Sequence, residues 1–140
     1  MVVGFLGGGC IPSGDMYRIF TAMKKRIEEL IGEGADEFVA KEASPVDTLF
    51  AATVKNLKEK YPHITMTVAV PREKDVLCNH LYDRAVCIPP ENDGDSSIFE
   101  KCNRYIIKNA EVLIIYDCEG VAAIEETEKR IVYIKNTLQN

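Results

Sequence analysis

Val112-Leu113-Ile114-Ile115, carried within Glu111 to Asp117, is the clearest buried strand of the chain. Four apolar residues in succession, most of them β-branched, suit a strand covered on both faces, as in a parallel sheet between helix layers. Just upstream, Ser97-Ile98-Phe99-Glu100 has the spacing of a capping box, and Ile98, Phe99, Cys102, Tyr105 and Ile106 make one apolar helix face. Downstream from Val121, residues Ile124, Thr127, Ile131, Ile134 and Leu138 recur at helical steps. Glu125 there faces Lys129 and Glu126 faces Arg130, so a closing helix is predicted.

The same alternation extends back to the start. Val2-Val3-Gly4-Phe5-Leu6 is a short apolar run that ends in Gly7-Gly8-Gly9. After Ser13-Gly14-Asp15, Ile19, Phe20, Met23, Ile27, Leu30 and Ile31 trace a helix that Gly32 and Gly34 end. Glu37 to Ala40 is a second strand. Ser44-Pro45-Val46-Asp47 then announces a helix: serine as cap, proline in the first turn, an acid three residues after the cap. Its core face is Val46, Leu49, Phe50, Thr53, Val54 and Leu57. His63 to Pro71 is a third strand, Glu73 to Leu81 is ambiguous with a short helix, and Arg84 to Ile88 is a fourth strand stopped by Pro89-Pro90. Strands alternating with helices predict an α/β fold: a doubly wound, mainly parallel sheet of about five strands, Rossmann-like, with helices on both faces.

At 140 residues the expectation is one domain, able to bury about two-thirds of its surface without staples. Seventeen basic against 22 acidic residues leave a net charge of −5. That acidity sets the expectation against nucleic acid. No apolar run approaches a membrane span, and Met1-Val2-Val3-Gly4 carries no basic leader, so a cytoplasmic protein is expected, with no membrane partner. The five cysteines include no C-x-x-C pair, and only His63 and His80 could join them, so no metal site is expected. Cys87, Cys102 and Cys118 lie in apolar-patterned segments and read as buried, reduced thiols.

In such sheets ligands lie beyond the carboxyl ends of the strands, where the strand order reverses. Gly7, Gly8, Gly9 and Cys10, leading through Ser13 into the first helix, are either an anion cradle or a tight turn. Gly7 and Gly9 match the first part of a dinucleotide fingerprint, but Pro12 breaks the rest, and no Walker lysine follows. Ser44 and Asp47 are a capping box whose carboxylate is also a candidate for a ribose hydroxyl. Asp117, Cys118, Glu119 and Gly120 follow the last strand, with Glu125 and Glu126 beyond; they are ligand-binding or catalytic acids, or a solvated turn. Arg104, beside Asn103, is a phosphate clamp or a solvated side chain.

Together, Phe5-Leu6-Gly7-Gly8-Gly9, Phe38-Val39, Ala43 through Asp47-Thr48-Leu49 and Ala51, Tyr61-Pro62, and Cys102-Asn103-Arg104-Tyr105-Ile106 before a buried strand resemble the YpsA-like proteins. These belong to the SLOG superfamily of Rossmann-like domains, alongside the DprA and LOG groups. The resemblance spans nearly the whole chain and implies a nucleotide or nucleotide-derived ligand. Some members of the superfamily cleave or transfer N-glycosidic bonds. The chain departs from the family at Gly8 and Gly9, where a histidine and an arginine are usual. Lys41, Glu42 and Pro45 replace glycines, Gly120-Val121-Ala122-Ala123 replaces a Gly-Gly-Thr turn, and no clear final strand follows. A Cβ then stands where phosphate would meet bare backbone, implying that the fold persists while the ligand has changed or been lost.

The first functional expectation is a ligand-binding domain: Gly7, Gly8 and Gly9 at phosphate, Asp47 at ribose, Asn103 or Arg104 on an anionic group. It requires that Lys41 and Glu42 leave the glycine turn open. The second is an N-glycosidic hydrolase or transferase using Asp117, Glu119 or Glu125; the third, a scaffold acting through protein contacts as a homodimer, pairing a sheet edge or the last helix. Cys10 is a nucleophile candidate with no histidine close in sequence. No cofactor beyond a nucleotide-like ligand is assigned.

Overall fold

The computed structural model describes residues 1–8, 11–12, 14–71, 76, 79–88, 98–116 and 129–134. Strands β1 (Val2–Gly7), β2 (Glu37–Lys41), β3 (Thr65–Val70), β4 (Arg84–Cys87), β5 (Val112–Tyr116) and β6 (Arg130–Ile134) form one sheet. Helices α1 (Met16–Gly32), α2 (Pro45–Lys58) and α3 (Ile98–Asn109) connect them, and a 3-10 turn spans Asn79–Leu81. The strand order is β4-β3-β2-β1-β5-β6 and every pairing is parallel. This is the predicted α/β, Rossmann-like arrangement, with six strands where about five were expected.

Local chemistry explains the boundaries. Ser44 Oγ accepts from the Asp47 N–H at 3.4 Å while Asp47 Oδ2 accepts from the Ser44 N–H at 3.0 Å, so the capping box of α2 is complete. Gly34, at φ +112°, turns the chain out of α1 into a conformation costly for other residues. The α3 carboxyl end is closed from a distance: Lys129 Nζ donates to the carbonyls of Ile107 and Lys108, the cation answering the helix dipole.

The chain steps outward from β1 through β2 and β3 to β4, then crosses back to β5 on the other side of β1. With crossovers of one hand, those opposite directions put the helices on opposite faces. On one face α1 and α2 cover Val3, Phe5, Phe38, Ala40, Val112 and Ile114; on the other α3 covers Leu6, Val39, Ala69, Leu113 and Ile115.

Two expectations are corrected. Ile131 and Ile134 are not on a closing helix; Arg130–Ile134 is β6, in register with β5 from Val112↔Arg130 to Tyr116↔Ile134. Their three-residue spacing fits a helix, but Arg130-Ile131-Val132-Tyr133-Ile134 is β-branched and aromatic, and β5 has an edge whose backbone groups need partners. Arg130 accordingly makes a two-point contact with Glu33, at 3.0 and 2.9 Å; Glu125, Glu126 and the rest of the expected helix lie outside the described residues. Cys87 is exposed, not buried, because β4 is an edge strand; Cys102 is buried as expected.

Candidate functional site

The strand order reverses at β1, which has β2 on one side and β5 on the other. At the carboxyl edge of that reversal Gly7 is paired with Tyr116. A Cβ on Gly7 would stand 2.6 Å from Phe5 Cε2 and 2.7 Å from Val46 Cγ1. Glycine is therefore required here by the packing of α2 against β1, and Gly7 does not have a positive φ. Gly8 follows, half-buried.

Lys41, the last residue of β2, is 6% exposed. Its ammonium donates to the Gly7 carbonyl at 3.1 Å and lies 3.5 Å from Asp47 Oδ1. A buried charge needs such partners, since leaving it unpaired in the interior is costly. One lysine thus ties the end of β1 to the first turn of α2. In the sequence Lys41 stands out as a residue in place of a glycine and as a side chain able to close the glycine turn; its burial has only the cue of a lone cation ending an apolar strand.

Asp47 is fully buried, at 0% exposure. Oδ2 accepts from Ala43 N at 3.1 Å, Ser44 N at 3.0 Å and Ser44 Oγ at 3.1 Å. Oδ1 makes no hydrogen bond and has only the ion pair with Lys41. Burial pushes the Asp47 carboxyl above its ordinary value, opposed by the Lys41 charge and by the donors from Ala43 and Ser44. Ala43 itself is exposed and Ser44 half-buried. Glu42 points elsewhere: the Tyr82 hydroxyl donates to its Oε2 at 2.7 Å. Of the two side chains required to leave the glycine segment open, Glu42 turns to Tyr82 whereas Lys41 does not keep clear: its ammonium holds the Gly7 carbonyl and brings a positive charge there.

From the other face α3 contributes Cys102 and Asn103. Burial pushes the Cys102 thiol up; the Lys41 charge opposes that shift and the Asp47 charge adds to it, so all three share one electrostatic neighbourhood. Asn103 is half-buried, and its Oδ1 is closed to solvent with no hydrogen-bond partner. Arg104, one position on, is exposed. The structure therefore brings Gly7, Ala43, Ser44 and Asp47 together around Lys41. Gly9, Cys10, Ser13, Asp117, Glu119 and Gly120 lie outside the described residues, as do Cys118 and Glu125.

Among the described residues no cluster of histidine, cysteine, aspartate and glutamate is arranged to hold a metal ion. No helix among them is long and apolar enough to cross a membrane. No protein-family model matches the chain, and neither does any curated protein.

Proposed function

We propose that this chain binds a nucleotide or nucleotide-derived ligand over the carboxyl edge of the sheet, beside Gly7 and Gly8. The observation that carries the reading is the orphaned Asn103 Oδ1, a buried acceptor on the helix that also holds Cys102 near the Lys41 ammonium. A buried acceptor without a donor costs about 1–3 kcal/mol, which a ligand N–H or O–H recovers. An amino group of a base or a ribose hydroxyl is such a donor. The Lys41 cation attracts the anionic part of the ligand and shares its charge with Asp47. Asp47 serves as the positioning group for Lys41, since its Oδ2 is filled by the capping box. The reversal of strand order between β2 and β5 supports the location, and the YpsA-like resemblance supports the ligand class.

Thermal-shift measurements with nucleosides, nucleotides, NAD, ADP-ribose and cyclic nucleotides test it. A ligand at a hundredfold over its Kd adds about 2.7 kcal/mol, a shift of several degrees for a domain of this size. Asn103→Leu is expected to abolish that shift while leaving the unliganded Tm unchanged or higher. Silence across the whole panel, or a full response in the variant, overturns the proposal.

A further inference from the structure

The α3 face also holds a cleft at the opposite, amino-terminal end of the sheet. Gly4 marks where the helix and the sheet are in closest packing beside it. A Cβ on Gly4 would stand 2.5 Å from Ile106 Cγ2 and 2.9 Å from Ala110 Cβ, so α3 lies close over β1. Between α3 and the strands there is a cleft of about 240 Å³, lined by Val2, Glu37, Val39, Thr67, Tyr105 and Asn109.

Two polar groups of this lining are unusual for a sheet face. Thr67 is 1% exposed, and its Oγ1 has no hydrogen-bond partner. Valine would fill the same volume without carrying an unmatched hydroxyl into the interior. Glu37 brings a carboxylate that is ion-paired with Arg84 at 3.9 Å, a contact too long for a hydrogen bond, so its oxygens keep acceptor capacity. Asn109 uses its Nδ2 to donate to the Tyr105 carbonyl at 2.8 Å, so its side-chain oxygen is the group it retains for other contacts. The polar complement is therefore rich in acceptors and includes the Glu37 carboxylate, beside the aliphatic Val2 and Val39 and Tyr105.

We infer that this cleft is a second binding site, for a small alkylammonium or alkylguanidinium group. The cation meets Glu37, its N–H groups supply the donor that Thr67 Oγ1 lacks, and the alkyl stem lies over Val2 and Val39. The Tyr105 ring adds a cation–π partner. The volume falls below the roughly 300–1,000 Å³ of pockets for drug-sized ligands, which limits the occupant to a short stem. A chain of net charge −5 favours the approach of cations. This site stands apart from the carboxyl edge and does not depend on the ligand proposed there.

The test is titration of the 15N-labelled chain with butylguanidinium and butylammonium, with butyramide as the neutral probe and butyrate as the anion. The two cations are expected to move the amide signals of Val39, Thr67, Tyr105 and Asn109 at millimolar concentration, and butyrate to move none. Thr67→Val and Glu37→Gln are each expected to weaken cation binding roughly tenfold, the loss of one hydrogen bond to a charged group. Thr67→Val should keep the fold and raise Tm. Equal binding of butyramide overturns the inference, as does perturbation confined to the Lys41 and Asn103 region. Undiminished affinity in Thr67→Val also overturns it, by showing that the hydroxyl is a packing defect alone.

Discussion

The two faces of the sheet are built on different terms. Under α1 and α2 the side chains are large and interlocked: the rings of Phe5 and Phe50 stack at 4.4 Å with 13° between planes, and Phe38 tilts against Phe50 at 6.4 Å. Under α3 the buried set among the described residues is Leu6, Val39, Ala69, Cys102, Ile106, Ala110, Leu113 and Ile115, with two alanines and no ring, and Tyr105 packs against it half-buried. A helix that crosses a strand closely needs small residues beneath it, and Gly4 supplies the closest approach. Thr67 and Asn103, each with a buried oxygen lacking a partner, lie on β3 and on α3 at this thinner face. The stacked aromatic packing lies under α1 and α2, while Thr67 and Asn103 place unmatched oxygens at the α3 face; Asp47 Oδ1, on α2, also lacks a hydrogen bond and has the Lys41 ammonium instead.

The comparison breaks most easily at Phe50. Phe50→Ala is expected to cost about 3–5 kcal/mol in urea unfolding, the range for a buried aromatic truncated to a methyl. A loss no greater than that of Ile106→Val would mean that the aromatic face does not dominate stability. Next in size is Gly4→Ala, expected to cost about 1–3 kcal/mol because α3 must rise from β1 to admit the methyl. Its amide shifts should spread along α3 and leave α1 unmoved. Lys41→Met is expected to cost about 1–3 kcal/mol, since the Gly7 carbonyl and the buried Asp47 lose their cation.

Asp47→Asn has a smaller, pH-dependent effect whose sign sharpens the picture. Burial holds the Asp47 carboxyl above 3.8, so folding favours its protonated form. That stabilisation is complete below 3.8 and is lost as pH rises through the folded-state value. Asparagine keeps an oxygen for Ala43 and Ser44, so the variant should match the wild type at low pH and gain on it toward neutrality in thermal melts. A wild type that instead gains with rising pH would show that the Lys41 attraction exceeds the burial cost. Smallest of all, Thr67→Val is expected to stabilise the unliganded chain by about 1 kcal/mol.

Much of the fold was legible in the residues. Each of the five predicted strands is present, and Ser44-Pro45-Val46-Asp47 starts α2 with the expected cap. These signals are local: a run of β-branched residues, a serine three before an acid, an apolar period. The errors arise where neighbours decide. Ile131 and Ile134 satisfy a helical spacing equally well, and only the adjacent edge of β5 selects the strand. Cys87 is apolar in pattern but exposed, because its strand has one neighbour.

The candidate site divides the same way. Gly7, Asp47 and Asn103 could be named from the chain, and alternation implied a parallel sheet, but that β1 lies between β2 and β5 is a fact of the assembled sheet. The role of Lys41 could not be read, because burial belongs to a position in the assembled sheet and not to a residue in a pattern. Its ammonium lies inside because Gly7, 34 residues away, offers a carbonyl and Asp47 offers a carboxylate at the same point. Short-range preferences set the elements of this protein from the sequence alone. Strand order, the buried charge pair and the unmatched oxygens of Thr67 and Asn103 came only with tertiary structure, since each depends on what a distant segment brings within a few ångströms.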